Sequence, residues 1–286
     1  MIPLDKLERI TAKMKEQNAT DVLTQDELAQ WQQLPESERI AALKNIISYP
    51  VAWPDATHGL MFSWFVKTRW TEALQAVNLA APVSMLELAT GSGNMIPQVL
   101  AKHNSHPETR YTSINLNKHL TADFKERTKH LPLNIEVIED AAQNIEEHFG
   151  ENNVDVIIFE HAFNDIVEDI IGKKYGIDTV NTSWWEILPR LIEVTNDAYQ
   201  NGTYEAIIKD NFLEMLRSLL KVLKPGSFII AYQFQYQGDL DMGILPQIWP
   251  ELVSTVRKWV HEENIGCEVL FDEFEPNWWL FIRKVG

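Results

Sequence analysis

Ten residues, Met85-Leu86-Glu87-Leu88-Ala89-Thr90-Gly91-Ser92-Gly93-Asn94, restrict the fold more than any other part of this chain. Val83 to Leu88 form an apolar run of the length of a buried strand. Gly91 and Gly93 let the backbone reverse sharply and come close to a ligand. From Asn94 to His103 the sequence is amphipathic, so a helix is expected directly behind the turn. The start of such a helix directs free backbone N–H groups at whatever sits above it. The unit therefore belongs at the carboxyl end of the first strand of an α/β sheet.

A glycine turn alone is a common connection. Its weight here comes from the order of the later elements. Tyr111 to Asn115 reads as a second strand, Asn134 to Ala141 as a third ending in an acid, and Val154 to His161 as a fourth. Leu219 to Ser227 reads as a helix ending at a Leu-Lys-Pro-Gly turn, followed by a fifth strand, Phe228 to Tyr232. Glu268 to Phe271 and Trp278 to Ile282 form two further strands joined around Pro276.

This series resembles the class I S-adenosylmethionine-dependent methyltransferases, over roughly residues 80–285. The Glu-Leu-Ala-Thr-Gly-Ser-Gly turn and the Leu-Lys-Pro-Gly turn carry most of the resemblance, with Asp140-Ala141 and Asp155-Val156-Ile157 spaced between them. The resemblance implies a three-layer, Rossmann-like α/β fold. Its seven-stranded, mostly parallel sheet would end in an antiparallel last strand, behind a helical N-terminal cap. It implies S-adenosylmethionine as cofactor. The turn Ala89, Thr90, Gly91 and Gly93 would cradle the methionine end, with Glu87 supporting it. Asn115 would meet the ribose, where the family usually has an acid, with Asn117 two residues on and Leu116 also among the cofactor contacts; an asparagine offers a single acceptor oxygen. Asp140 and Ala141 would meet the adenine. Asp140 also suits a helix start, and Asn115 an ordinary turn.

The fourth strand would deliver Glu160, His161, Asn164 and Asp165 to the cleft, with Glu160 among the cofactor contacts. Methyl transfer needs alignment more than an elaborate catalyst. A base helps when the acceptor carries a proton, and His161 is the first candidate because imidazole titrates near neutrality. His58 is a second. Both also fit a histidine with only a structural part. Glu160, His161, Asp165 and Asp169 have metal-ligand chemistry, but their spacing matches no strong metal motif, so no metal is expected.

At 286 residues, 45% of them hydrophobic, the chain can fill one large domain and an accessory segment. The division expected is a cap over 1–80 and a catalytic domain over 81–286, with an insert at about 166–205. The net charge of −16 disfavours phosphate backbones and anionic lipid, so neither nucleic acid nor membrane is an expected partner. Cys267 is the only cysteine, which removes intrachain disulfides and thiolate clusters. The sequence opens without a charged-then-apolar leader, and its apolar runs are shorter than a membrane span; the expectation is a cytoplasmic protein.

The first eighty residues have helical spacing: Leu4, Leu7, Ile10 and Met14, then a capping box at Thr24-Gln25-Asp26-Glu27, then Ile40, Leu43 and Ile47. His58 to Val77 form an aromatic-rich helix. The block suits either a cap over the cleft or a homodimer surface. The connection from Ile166 to Glu205, roughly forty residues, is long for a simple crossover. It reads as a lid whose Trp184-Trp185 pair encloses the acceptor together with Tyr49, Trp64 and the rest of the Tyr49 to Trp70 region. The function expected is methyl transfer to an oxygen or nitrogen of a small molecule or short peptide, as in specialised metabolism. Two alternatives are a non-catalytic binding protein on this fold and a nicotinamide-dependent oxidoreductase. The paired last strands and the Leu-Lys-Pro-Gly turn speak against the second.

Overall fold

A computed structural model describes residues 18–48, 51–52, 56–103, 106–270 and 274–286, with isolated positions before residue 18. The expected helix over Ile2 to Gln17, and Tyr49, lie outside the described residues.

The chain begins with helices α1 (Gln25–Gln33) and α2 (Glu36–Ser48), a two-residue strand β1 (Val51–Ala52) and the long helix α3 (Ala56–Ala76). Strands and helices then alternate: β2 (Ser84–Leu88), α4 (Met95–His103), β3 (Arg110–Ile114), α5 (Lys118–Thr128), β4 (Asn134–Ile138), α6 (Ile145–Phe149) and β5 (Val154–Glu160). Three helices follow, α7 (Phe163–Lys174), α8 (Trp184–Gln200) and α9 (Tyr204–Val222), before β6 (Leu223–Tyr232). The chain closes with β7 (Gln235–Tyr236), α10 (Gln237–Asp241), α11 (Ile248–Glu263), β8 (Cys267–Leu270) and β9 (Trp279–Lys284).

The main sheet has seven strands in the order β4-β3-β2-β5-β6-β9-β8. Strands β2 to β6 run parallel, and β9 enters antiparallel between β6 and β8. This is the expected three-layer sheet with an antiparallel last strand. The strand order reverses between β2 and β5, which opens a crevice at their carboxyl ends. Side chains alternate between two cores, as the pleat requires. Ile157 and Phe159 of β5, with Ile229 and Ala231 of β6, face the core built by α7, α8, α9 and α11. Val156 and Ile158, with Ile230 and Tyr232, face the core built by the N-terminal helices and α4.

The N-terminal helices supply that second layer. The capping box forms: Thr24 accepts from Glu27 N–H while the Glu27 side chain accepts from Thr24 N–H. Glu27 also receives Lys67 Nζ at 2.7 Å and Ser63 Oγ at 2.6 Å, which fastens α1 to α3. The Leu-Lys-Pro-Gly segment lies at the start of β6, not between helix and strand. Lys224 reaches Asp155 Oδ1 at 2.6 Å, and Asp155 Oδ2 accepts Ser84 N–H at 2.8 Å, so one acid joins three neighbouring strands at their starts. Among the described residues, no helix is long and apolar enough to cross a membrane.

Candidate functional site

The glycine turn is shaped by conformation before it meets any ligand. Ala89 has φ +49° and Gly91 φ +59°, both in the left-handed region that favours glycine. A Cβ at Gly91 would meet only Leu120 Cδ1 at 3.9 Å, so within the protein it is the backbone conformation that demands glycine. Gly93 differs: its Cβ would lie 3.2 Å from the Thr90 carbonyl.

Three ties hold the turn to β3 and its end. Ala89 N–H donates to the Ile114 carbonyl at 2.9 Å. Thr90 Oγ1 lies 2.5 Å from Ser113 Oγ. Asn115 engages Gly91 twice, accepting its N–H on Oδ1 at 3.2 Å and donating Nδ2–H to its carbonyl at 2.7 Å. Beneath the turn Glu87 is buried and accepts the Tyr111 hydroxyl. Burial holds Glu87 well above the usual carboxylate range, and the Glu160 charge adds to that, against the Tyr111 hydrogen bond.

In front of the turn, at the carboxyl ends of β2, β3 and β4, lies a cleft. Leu88, Ala89, Asn115, Leu116, Asp140, Ala141, Asp165, Ile166, Thr179 and Trp184 are among its walls. Asp140 is a busy group: its Oδ1 accepts Ala141 N–H at 2.7 Å and Asn144 Nδ2 at 2.8 Å, and its Oδ2 meets His148 Nε2 at 2.8 Å. The His148 hydrogen bond, ahead of the Asn144 one, lowers its pKa.

The insert forms part of this wall and part of the core. Asn117 caps α5 with Oδ1 and donates Nδ2 to the carbonyls of Thr179 and Thr182 at 3.0 and 2.8 Å. Lys118 adds a backbone bond to Val180 and a side-chain bond to Asn181. The loop before α8 is thus fastened over the cleft. Trp184 is buried there, whereas Trp185 is 67% exposed. Successive helical positions point about 100° apart, which separates the pair. The rest of α8 packs through Leu188, Leu191 and Ile192 into the core.

His161 sits at the end of β5 with φ +50°. Its ring stacks on Phe234 at 4.0 Å and meets Tyr236 edge-on at 4.5 Å, and its Nδ1 faces Gln233 Nε2 at 3.1 Å. Nε2 is buried without a hydrogen-bond partner. Burial lowers the imidazole pKa to about 3, so the ring is neutral and a poor proton acceptor near pH 7. Next to it Glu160 has the opposite shift, raised by burial to about 8, with Oε1 sealed and unpartnered.

Other expected site residues lie elsewhere. Trp64 packs against Trp31 at 4.9 Å in the core beneath the cap, because its position on α3 turns it toward α1; it is not among the cleft walls. His58 is buried and stacks at 6.4 Å on Phe62, which meets Phe234 edge-on at 4.8 Å. The neighbours of His161 are therefore Phe234 and Tyr236 from the segment after the fifth strand, which the sequence reading missed. That segment pairs in parallel with β1, bringing the cap to the same place. Cap and insert pack into different cores, on opposite faces of the sheet. Among the described residues no group of three His, Cys, Asp or Glu is placed to hold a metal.

No family model matches the chain, and no curated protein matches it. Solved structures are similar in outline. One is an S-adenosylmethionine-dependent methyltransferase from Aquifex aeolicus, 16% identical, covering 74% of this chain and 86% of its own, with a TM-score of 0.45. Another is the CurJ carbon methyltransferase, 14% identical, covering 91% and 70%, with a TM-score of 0.46. A third is TrmN from Thermus thermophilus, 14% identical, covering 75% and 48%, with a TM-score of 0.37.

Proposed function

We propose that this chain binds S-adenosylmethionine in the cleft before the glycine turn and transfers its methyl group to an oxygen or nitrogen of a small molecule or short peptide. The observation that carries this reading is the placement of the cleft. It lies at the carboxyl ends of β2, β3 and β4, in front of a turn with two left-handed residues, in a sheet closed by an antiparallel last strand.

The cleft has the chemistry for such a group. Leu116, Ile166 and Ala142 offer apolar walls to a purine, with Asp140 and Ala141 beside them. Ala141 N–H now donates to Asp140, so adenine binding there would exchange an internal hydrogen bond for one to the ring. Asp165 stands in the wall, and Glu160, at the end of β5, has a buried oxygen in want of a partner. When bound, S-adenosylmethionine supplies a methyl activated by positive sulfur, so the protein's work is alignment and exclusion of water. Where the acceptor must lose a proton, Glu160 with a pKa of about 8 is better matched than His161 at about 3. His161 then serves by position, as a neutral ring between Phe234 and Tyr236.

A second reading, binding without turnover, is favoured by Asn115, whose carboxamide is engaged with Gly91 at the place where the family keeps an acid. Calorimetry with S-adenosylmethionine, S-adenosylhomocysteine and NAD separates the readings by ligand. Both readings expect the first two to bind and NAD to fail, and an NAD-selective site would overturn both. Transfer of labelled methyl from S-adenosylmethionine to small-molecule acceptors then divides enzyme from binder.

A further inference from the structure

We propose that Asn115 is a positioning residue whose carboxamide sets the glycine turn, in place of the ribose ligand expected at the end of the second strand. The inference rests on the cofactor reading of the cleft. Asn115 is 3% exposed and its backbone N–H is fixed to the Ile138 carbonyl at 3.0 Å, so its side chain has little freedom. That side chain, in the cleft wall, hydrogen-bonds Gly91 at both its N–H and its carbonyl.

This double contact needs a donor and an acceptor on one short planar group, which a carboxamide has and a carboxylate lacks. Gly91 stands at φ +59°, between Ala89, tied by its N–H to Ile114, and Gly93, whose N–H returns to the Thr90 carbonyl at 3.0 Å. The Asn115 clamp thus holds the residue at the middle of the turn, where no backbone bond to β3 does so. An acid at position 115 would still accept Gly91 N–H, but its second oxygen would face the Gly91 carbonyl and repel it. The asparagine is therefore matched to this turn, and a swap to the family's acid should harm binding.

The test is Asn115→Asp, titrated with S-adenosylhomocysteine by calorimetry at pH about 7.5 and about 5. The clamp predicts affinity weakened about tenfold at the higher pH. It also predicts recovery at the lower pH, because burial and the facing Gly91 carbonyl oxygen raise the new acid's pKa from its ordinary value of about 3.9 toward that range, and the protonated acid can donate to the carbonyl as the amide does. A ribose ligand predicts the reverse, with the carboxylate binding more tightly at pH about 7.5 and losing that gain on acidification. That reverse, or an affinity indifferent to the substitution, overturns the proposal. A second measurement needs no ligand: hydrogen exchange of the Gly91 amide in folded Asn115→Ala. Acceleration of about tenfold is expected from loss of the clamp, and unchanged exchange contradicts it. Failure of the unsubstituted protein to bind S-adenosylhomocysteine would count against the cofactor reading itself, and the exchange experiment would still decide the clamp.

Discussion

Tyr111 and Glu87, on the adjacent strands β3 and β2, are joined hydroxyl to carboxyl in a part of the sheet closed to water. The pair lies directly beneath the glycine turn, so it supports the turn from below as Asn115 does from the side. Removing the hydroxyl leaves a buried acid without its donor. Tyr111→Phe should lower stability by about 1–3 kcal/mol, the cost of an unsatisfied buried polar group. Denaturant unfolding at fixed pH measures it, and a variant as stable as the parent would show that the bond contributes nothing.

The two shifted groups at the end of β5 should oppose one another across the pH scale. Glu160 has its folded pKa raised from 4.5 to about 8, so the folded protein keeps a proton that the unfolded chain gives up. Its contribution is complete below 4.5 and lost as pH rises toward 8. His161 has its folded pKa lowered from 6.5 to about 3, so the unfolded chain gains the proton first. Its contribution is present above 6.5 and lost as pH falls toward 3. Melting temperatures followed across this range should show Glu160→Gln flattening the alkaline slope and moving the optimum upward. His161→Asn should flatten the acid slope and move it downward. Curves parallel to the parent's in both variants would rule out these shifts.

Ala89 occupies a left-handed conformation at φ +49° that an alanine adopts at a cost of about 1–2 kcal/mol. Ala89→Gly removes that cost but gives the unfolded chain more freedom. The net expectation is a gain in stability of about 0.5–1 kcal/mol. A loss of stability in thermal unfolding would mean that packing of the Ala89 methyl outweighs the strain.

The tryptophan pair should divide sharply. Trp184 is buried in the cleft wall, and Trp184→Ala should cost about 3–5 kcal/mol of stability and weaken S-adenosylhomocysteine binding. Trp185 is exposed, and Trp185→Ala should change stability by less than about 0.5 kcal/mol. Denaturation and calorimetry on the two variants check both, and equal effects would contradict the separation.

The parts of this architecture that depend on local chemistry were legible in the sequence. Strands β2, β5 and β6 are apolar runs bounded by turn residues, and the Thr24 to Glu27 box and the Gly91 turn are written in a few adjacent residues. What the sequence did not reveal depends on contacts between distant segments. Asn115 could be placed at the end of its strand, but only the folded turn shows its amide facing Gly91. His161 reads as a near-neutral base until Phe234 and Tyr236 close over it and burial moves its pKa. Trp64 reads as a wall of the cleft because helical spacing gives a face without saying what that face meets; in the fold it meets Trp31. The insert reads as a lid because its length is visible while the bonds from Asn117 and Lys118 that tie it down are not.

The cleft before the Gly91 turn is proposed to take the adenosyl cofactor. A crystal structure grown with S-adenosylhomocysteine tests it most directly. The expected result is the purine between Leu116 and Ile166 with its edge at Asp140 and Ala141, the homocysteine end at the Ala89 to Gly93 turn, and the Asn115–Gly91 pair unbroken. Ligand bound elsewhere, or a purine in the cleft with Asn115 turned from Gly91 onto the ribose, would contradict it.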